Sequence, residues 1–334
     1  MTGLMGTSAP LQEEFDVALV DLDGVAYKGP YAIPTAPPAL AAARAAGMRM
    51  MFVTNNASRE PETVSDHLTE LEIPTDPGEV MTAAQAGAEL LAEHVPAGAK
   101  VLIVGGAGLH TAVAAKGYEI VASADDHPAA VIQGFDPTVG WKHLAEAAYA
   151  IRAGARFFAT NLDITIPTDR GMAPGNGTLV GVVQAATGVT PLAAGKPEPE
   201  MFRLAARKAG AERPMMIGDR LDTDLQGARA AHMPGLLVFT GVSTVKDAIL
   251  ARPEERPAFL GTDLGCLAEP HPEPQLVHHW WHVGEARARV TEGRLVADGG
   301  RPIDRIRAAC AAAWAAADAG ERLEVETLPR LPLA

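Results

Sequence analysis

Short apolar runs that end in polar clusters form the most regular pattern along this chain. Residues 15–20, 48–53 and 214–217 are such runs, and a short apolar run bounded by polar turns is typical of a buried strand. Helical stretches alternate with them, at residues 37–46, 61–71, 200–208 and 223–230. The pattern predicts an α/β fold in which a Rossmann-like, doubly wound parallel sheet is covered by helices.

The middle of the chain repeats the alternation. Helices are predicted at residues 83–93, 109–115, 142–153 and 179–186, strands at residues 100–104, 129–133 and 156–159, and a loop at residues 161–176. Proline and histidine then become dense at residues 269–274, which indicates a boundary. We expect a first core part at 1–82, an inserted α/β domain at 83–189, a second core part at 190–268 and a small α+β C-terminal extension of unknown role at 269–334.

In that extension, short strands are predicted at residues 278–283, 288–291 and 294–296, a helix at 303–317 and a last strand at 322–327. His278, His279 and His282 could suggest a metal site, but the flanking Trp280 and Trp281 favour a half-buried sheet. We expect no metal site there.

Carboxylates follow two of the predicted core strands. Asp21 and Asp23 come after the first run, and Asp219 and Asp224 come after the run at residues 214–217. Side chains at the carboxyl ends of parallel strands meet in one crevice of an open α/β sheet. Several carboxylates in one crevice repel one another unless a cation lies among them, and oxygen ligands suit Mg²⁺.

Two further segments supply groups that bind anions. The turn with Thr54, Asn55, Asn56 and Arg59 precedes a predicted helix near residue 61, and free N–H groups at such a start favour phosphate. Lys196 stands before Pro197, at the entrance to another helix. Arg59 could equally pair with a surface carboxylate. Together with the carboxylates, these segments predict a phosphate site.

These motifs, in this order, resemble those of the haloacid dehalogenase superfamily of aspartate-nucleophile phosphatases. Asp21 and Asp23 match its D-x-D-G motif, Thr54 the second motif, Lys196 the third, and Asp219 with Asp224 the fourth. About 140 residues between the second and third motifs leave room for an inserted domain. An insertion of this size at this place resembles the large α/β cap of one branch of the superfamily, which contains NagD-type nucleotide phosphatases, phosphoglycolate phosphatase and pyridoxal phosphatase. Bacterial glycerol-3-phosphate phosphatases with an added C-terminal segment are the most similar group.

The resemblance implies roles for the core residues. Asp21 would be the nucleophile, Asp23 the general acid and base, and Lys196 the balancing cation. Mg²⁺ would be held by the Asp21 and Asp219 carboxylates and the Asp23 backbone carbonyl. Asp224 would orient a metal-bound water, and Asp222 would be structural. Thr54 and the Asn55 backbone would bind a phosphoryl oxygen.

Substrate choice is expected to depend on the cap loop from Asp163 to Arg170. Pyridoxal phosphatases carry a histidine where this chain has Ile166. We therefore expect a Mg²⁺-dependent phosphomonoesterase for a small phosphorylated metabolite, most of all glycerol 3-phosphate. Phosphoglycolate, pyridoxal phosphate or a nucleotide are the alternatives. So are a phosphotransferase or mutase that uses the same aspartyl phosphate, and a catalytically silent binding protein.

The composition limits the classes of binding partner that are expected. A net charge of −13, with no basic stripe, argues against nucleic acid or an anionic membrane as partner. The first residues lack an apolar signal core, and the two cysteines suit a reducing cytosol, so a cytoplasmic protein is expected. A homo-oligomer is left open. The glycines at residues 104–108 suggest a dinucleotide site, but Thr111 stands where the third glycine should be, which favours a tight strand-to-helix turn.

Overall fold

The computed structural model describes residues 3–168 and 170–333. The described residues form two compact units. The first unit lies within Met1–Met51, Leu71–Ile73 and Ala206–Ala334, and the second within Phe52–Glu70 and Pro74–Ala205. The domain limits expected from the sequence stay predictions.

Strands occur in both units and are numbered along the chain. They are β1 (Val17–Val20), β2 (Tyr27–Lys28), β3 (Tyr31–Ala32), β4 (Arg49–Thr54), β5 (Val80–Thr82), β6 (Lys100–Val104), β7 (Glu119–Val121), β8 (Ala130–Gln133), β9 (Arg156–Ala159), β10 (Thr165–Thr168), β11 (Gly171–Pro174), β12 (Leu192–Ala193), β13 (Pro214–Gly218), β14 (Gly235–Val238), β15 (Phe259–Gly261), β16 (Gln275–Val277), β17 (Trp280–Val283), β18 (Ala286–Thr291) and β19 (Arg294–Gly299).

The helices are numbered in the same way. They are α1 (Leu11–Glu14), α2 (Ala36–Ala45), α3 (Pro61–Glu70), α4 (Ala83–His94), α5 (Ala107–Ala114), α6 (Trp141–Arg152), α7 (Asn176–Thr187), α8 (Glu200–Ala209), α9 (Gln226–Ala230), α10 (Val245–Ile249) and α11 (Pro302–Asp318).

The first unit is built on a parallel sheet in which β15, β14, β13 and β1 are neighbours in that order. Every residue of β1, β14 and β15 is buried, as expected for parallel strands that are covered on both faces. β1 and β13 pair directly, with Val17 opposite Pro214, although they are far apart in sequence. Their shared carboxyl edge is a point where strand order switches, which is where open α/β sheets bind ligands.

The second unit contains a parallel sheet with the order β12, β9, β8, β6, β7. Helices separate its strands, and β6 passes into α5 through a tight turn at Gly106. The loop expected at residues 161–176 is partly wrong, because residues 165–168 and 171–174 pair as the antiparallel strands β10 and β11. Gly171, at φ 119°, starts its return strand in a conformation that favours glycine. Within the predicted cap loop, Asp169 lies outside the described residues.

The C-terminal extension folds as the antiparallel sheet β16–β19 against α11. Helix α11 buries Ile306, Cys310 and Trp314 in one cluster with Val283, Ala288 and Leu295 of that sheet, and the cluster also contains Leu225, Leu237 and Leu260 of the parallel-sheet part. The extension therefore shares a core with the parallel sheet. The expected fold class, a Rossmann-like parallel core with an inserted α/β region and a small α+β extension, is confirmed.

Two details of the extension were predicted wrongly. The strand expected at residues 322–327 is instead a 3₁₀ turn at Val325–Thr327. His278 and His279 form the exposed two-residue turn between β16 and β17, with φ of 46° and 66°. Positive φ at both positions suits the twist of a tight hairpin, and nothing in the local apolar pattern marks it.

Candidate active site

Three carboxylates converge at the carboxyl edge of β1 and β13. Asp21 directly follows β1, Asp219 directly follows β13, and Asp224 lies in the single π-helical turn Leu221–Leu225. Their ligand oxygens all lie within 4.8 Å of one another, and the side chains are only 9%, 1% and 1% exposed. Carboxylates this close repel one another unless a cation or a proton is shared among them. The arrangement therefore fits a Mg²⁺ ion, which prefers oxygen ligands.

Backbone N–H groups hold two of these carboxylates in place. One oxygen of Asp219, Oδ2, accepts a hydrogen bond from the Val242 N–H at 2.7 Å. Asp224 Oδ2 accepts one from the Arg220 N–H at 3.2 Å. A π-helical turn is rare and is frequently found at functional sites. Here it places Asp224 within the group instead of on the surface.

Three glycines make room for this acidic cluster. A Cβ atom at Gly241 would lie 1.9 Å from Asp219 Oδ2, and one at Gly24 would lie 2.4 Å from the same oxygen. A Cβ at Gly218 would lie 2.2 Å from the Asp224 Cβ. Gly24 also has φ of 90°, which L residues rarely adopt. Gly24 and Gly218 belong to the motifs read from the sequence, whereas Gly241 is far from them and was missed.

Asp23 occupies a different position from the buried carboxylates. Its side chain is exposed, and it lies at the base of the hairpin β2–β3, with a bridge to Tyr27. Partial burial of its carboxyl raises the pKa of Asp23, although Lys28 and the Gly29 N–H oppose that shift. A carboxyl with a raised pKa holds its proton at higher pH, as a general acid must. The side chain is thus suited to proton transfer more than to binding a metal.

The predicted anion-binding turn lies in the second unit, at the end of β4. The Thr54 hydroxyl oxygen accepts a hydrogen bond from the Asn56 N–H at 3.1 Å. Asn56 Oδ1 accepts from the Ser58 N–H at 2.8 Å, the Ser58 hydroxyl at 3.0 Å and the Arg59 N–H at 3.2 Å. The side chain of Asn56 therefore shapes the turn, and the Arg59 side chain is exposed.

Lys196 lies beside this turn in the same unit. Its side chain is only 4% exposed, and its ammonium donates a hydrogen bond to the Val53 carbonyl at 3.4 Å. The Asn55 side chain contacts both polar groups of the Lys196 backbone, and it also donates to the carboxylate of Asp163. The sequence-predicted residues Asn55, Lys196 and Asp163 are thus brought together. A buried lysine next to a turn of N–H groups provides local positive charge in an acidic protein.

Two other residues considered from the sequence have simpler surroundings. Ile166 lies in β10 opposite Ala173, with a half-buried side chain. Asp222 is exposed and forms an ion pair with Arg220 at 2.8 Å, which agrees with a structural role. Asn161, the first residue of the predicted loop at 161–176, was given no role of its own from the sequence, but it is 3% exposed and donates to the Asn55 carbonyl at 2.7 Å. Its only sequence signal is that it follows a predicted strand.

Comparison with known protein families assigns the chain to a class of hydrolases. Residues 18–119 match the family described as haloacid dehalogenase-like hydrolase, and residues 193–267 match a family described as HAD-hydrolase-like. The chain belongs to the haloacid dehalogenase-like hydrolase family. The enzyme class expected from the sequence is confirmed.

Individual relatives are similar over most of their length. The D-glycerol 3-phosphate phosphatase of Mycobacterium tuberculosis is 40% identical, covering 92% of this chain and 88% of that protein. The acid sugar phosphatase of Staphylococcus aureus is 38% identical over 70% of this chain and 90% of its own. The crystal structure of the M. tuberculosis glycerol phosphate phosphatase in complex with magnesium has a TM-score of 0.85 at 40% identity, covering 93% of each chain.

Helix length bears on membrane association. Within residues 3–168 and 170–333, no helix is both long enough and apolar enough to cross a membrane.

Proposed function

We propose that this chain is a Mg²⁺-dependent phosphomonoesterase that hydrolyses a small phosphorylated metabolite, with glycerol 3-phosphate as its main substrate. The observation that carries the proposal is the convergence of Asp21, Asp219 and Asp224 at one edge of the parallel sheet. The M. tuberculosis and S. aureus relatives, both named as phosphatases, support the reaction. The first of them supports glycerol phosphate as the substrate.

The proposed chemistry begins at Asp21. One of its carboxylate oxygens attacks phosphorus, so that a phosphorus–oxygen bond to Asp21 forms while the bond to the leaving alcohol breaks. Asp23 donates its proton to the departing oxygen, which fits the raised pKa of this carboxyl. A water then attacks the aspartyl phosphate and gives a proton to Asp23. Inorganic phosphate leaves, and both carboxyl groups return to their first state.

The Asp21 and Asp219 carboxylates and the Asp23 backbone carbonyl would hold the metal ion, with Asp224 beside them. When bound, Mg²⁺ supplies positive charge that offsets the phosphate charge and aligns the phosphoryl group. In this proposal Asp224 acts by orienting a water on the metal, as the resemblance implies. The glycines at 24, 218 and 241 leave the space that the carboxylates need.

The remaining groups bind the phosphate and the leaving group. Lys196 balances the charge of the phosphoryl oxygens, and Thr54 with the Asn55 backbone N–H binds one of them. Arg59 adds positive charge from the rim of the turn. Asp163 and Ile166 belong to the segment proposed to select the leaving group. Ile166 offers no polar group at the position where pyridoxal phosphatases carry histidine, which favours a small polyol phosphate.

A phosphate-release screen tests the proposal. Glycerol 3-phosphate, phosphoglycolate, pyridoxal phosphate, UMP and p-nitrophenyl phosphate are compared with and without Mg²⁺, and Asp21→Asn is the matched control. We expect Mg²⁺-dependent release with the highest kcat/KM for glycerol 3-phosphate. A higher kcat/KM for another metabolite would show that the substrate assignment is wrong. Release that does not depend on Mg²⁺, or no release from any compound, would contradict the phosphomonoesterase itself.

A further inference from the structure

Asparagine is rare in this chain and concentrated at one place. The 334 residues contain four asparagines, at positions 55, 56, 161 and 176. All four lie in the second unit, in or beside one hydrogen-bonded network that reaches Lys196. A carboxamide can donate and accept at the same time, so it can join two backbone segments where a carboxylate or an ammonium cannot.

The Asn55 carboxamide binds the backbone of Lys196 through two hydrogen bonds. Its Oδ1 accepts from the Lys196 N–H at 2.9 Å, and its Nδ2 donates to the Lys196 carbonyl at 3.1 Å. The same Nδ2 lies 3.1 and 3.0 Å from the two carboxylate oxygens of Asp163. One side chain thus holds the peptide groups of Lys196 and the carboxylate of a residue more than one hundred positions away in sequence.

Asn161 supports this arrangement from the other side. Its Nδ2 donates to the Asn55 carbonyl at 2.7 Å, and its Oδ1 accepts from the Asp163 N–H at 3.2 Å. Asn176 Nδ2 in turn donates to the Asn161 carbonyl at 2.8 Å. Asn161 and Asn176 are 3% and 1% exposed, and a lost hydrogen bond is costly where water cannot replace it.

The backbone next to Lys196 is packed just as closely. The Gly195 N–H donates to the Thr160 carbonyl at 2.7 Å. A Cβ at Gly195 would lie 2.5 Å from that carbonyl oxygen and 2.8 Å from Asn55 Oδ1. The segment that carries Lys196 therefore has little freedom to shift, and its position depends on the Asn55 side chain.

We infer that Asn55 is a positioning residue, whose carboxamide sets the position of Lys196 and couples it to Asp163 of the cap loop, with Asn161 holding the Asn55 backbone. The inference rests on the proposed function, because Lys196 acts there on the phosphoryl group. It gives the Asn55 side chain a role different from that of its backbone N–H, which is proposed to bind phosphate. Loss of the carboxamide should therefore impair hydrolysis of every substrate, whatever its leaving group.

An exchange of the two side chains tests the coupling. Asn55→Asp places two carboxylates about 3 Å apart, where they repel, and it removes the donor to the Lys196 carbonyl. We expect kcat/KM to fall roughly 100-fold for both glycerol 3-phosphate and p-nitrophenyl phosphate, the loss that a shift of about 1 Å at a catalytic group can cause. Adding Asp163→Asn restores a donor and acceptor pair between the two positions.

The double variant N55D/D163N should therefore recover roughly tenfold or more of the activity that N55D loses, with D163N alone as the fourth member of the cycle. Asn56→Asp is the matched control, because it is the same substitution one position away. Among the hydrogen bonds described, the Asn56 side chain makes none to Asp163. Its loss should not be recovered by D163N. Thermal unfolding of each protein separates coupling in stability from coupling in turnover.

The possible results are distinct. Additive effects of N55D and D163N on kcat/KM, in proteins that are folded, would overturn the inference while wild-type hydrolysis upholds the proposed function. If the effects of N55D and D163N are coupled in the unfolding temperature but additive in kcat/KM, the pair is purely structural, and this result would also overturn the inference. A wild-type protein without Mg²⁺-dependent hydrolysis would contradict the proposed function, and with it any positioning role in catalysis.

Discussion

Acid should weaken the fold through His271, a buried histidine at the start of the C-terminal extension. Its ring is 1% exposed and packs edge-on against Phe259. Nδ1 lies 3.1 Å from Arg307 Nη2, and Nε2 lies 3.2 Å from the Cys266 carbonyl. A guanidinium can only donate, so Nδ1 must accept and Nε2–H must donate. The site therefore holds the neutral ring, and a second proton would face Arg307.

Burial, with the charge of Arg307, lowers the pKa of His271 from 6.5 to about 4. The Cys266 carbonyl and Asp304 act in the opposite direction, and Arg301 acts with Arg307. Between pH 6.5 and 4, His271 binds a proton in the unfolded chain but stays neutral in the folded chain. The free energy of unfolding therefore falls as the pH falls. At about 1.36 kcal/mol per pH unit, the loss reaches about 3 kcal/mol below pH 4 and about 2 kcal/mol at pH 5.

Urea unfolding at pH 7.5 and pH 5.0, followed by tryptophan fluorescence, measures the effect. Wild type should lose about 2 kcal/mol more of its free energy of unfolding than His271→Gln does over this interval. The control is His110→Gln, at an exposed position, which should lose as much as wild type. If His271→Gln shows the same pH dependence as wild type, the reasoning from the buried neutral ring is refuted.

The remaining predictions concern the candidate active site. Asp21→Asn should abolish turnover of p-nitrophenyl phosphate while leaving the fold intact by circular dichroism, because the amide is not a nucleophile; activity of about a tenth of wild type or more, with deamidation excluded by mass spectrometry, would rule out Asp21 as the nucleophile. Asp219→Ala should raise the Mg²⁺ concentration at half-maximal activity roughly tenfold or more, since it removes a carboxylate from the ion, and an unchanged midpoint would contradict the assignment. Gly241→Ala places a Cβ 1.9 Å from Asp219 Oδ2, so the carboxylate must move and the same midpoint should rise roughly tenfold; a wild-type midpoint would show that Asp219 adapts. Ile166→His should change the ratio of kcat/KM for glycerol 3-phosphate to that for pyridoxal phosphate by a factor equivalent to roughly 1–3 kcal/mol, and it should alter p-nitrophenyl phosphate turnover much less. An identical ratio in a folded variant would mean that selection lies elsewhere.

Local patterns were enough to predict much of the fold and of the candidate site. The apolar runs before Asp21 and Asp219 predicted β1 and β13, because strands buried on both faces are continuously apolar. Helical periodicity predicted α3 and α6 to within a residue or two at each end. The convergence of Asp21 and Asp219 followed from the rule for carboxyl ends of parallel strands, and their direct strand pairing agrees with it.

Other features have no local signal. The hairpin β10–β11 lies in a stretch rich in glycine and proline. That composition predicts a loop instead of two short strands. The turn at His278 and His279 depends on pairing between β16 and β17, and it lacks the glycine or asparagine that usually marks a two-residue hairpin turn in a sequence. The expected strand at residues 322–327 had the composition of a strand but forms no ladder in the described part of the chain.

The amino-acid sequence by itself determined the strands and helices and the candidate site residues that they carry, because strand burial, helix periodicity and motif order are all properties of neighbouring positions. Tertiary structure alone decided how those residues are held. Gly241 lies against Asp219 only because two loops pass close together, and the Asn55 side chain reaches Lys196 across 141 positions. Such contacts depend on the path of the whole backbone, since a hydrogen bond requires its two atoms to meet within about 3 Å, and no pattern among neighbouring residues specifies that meeting.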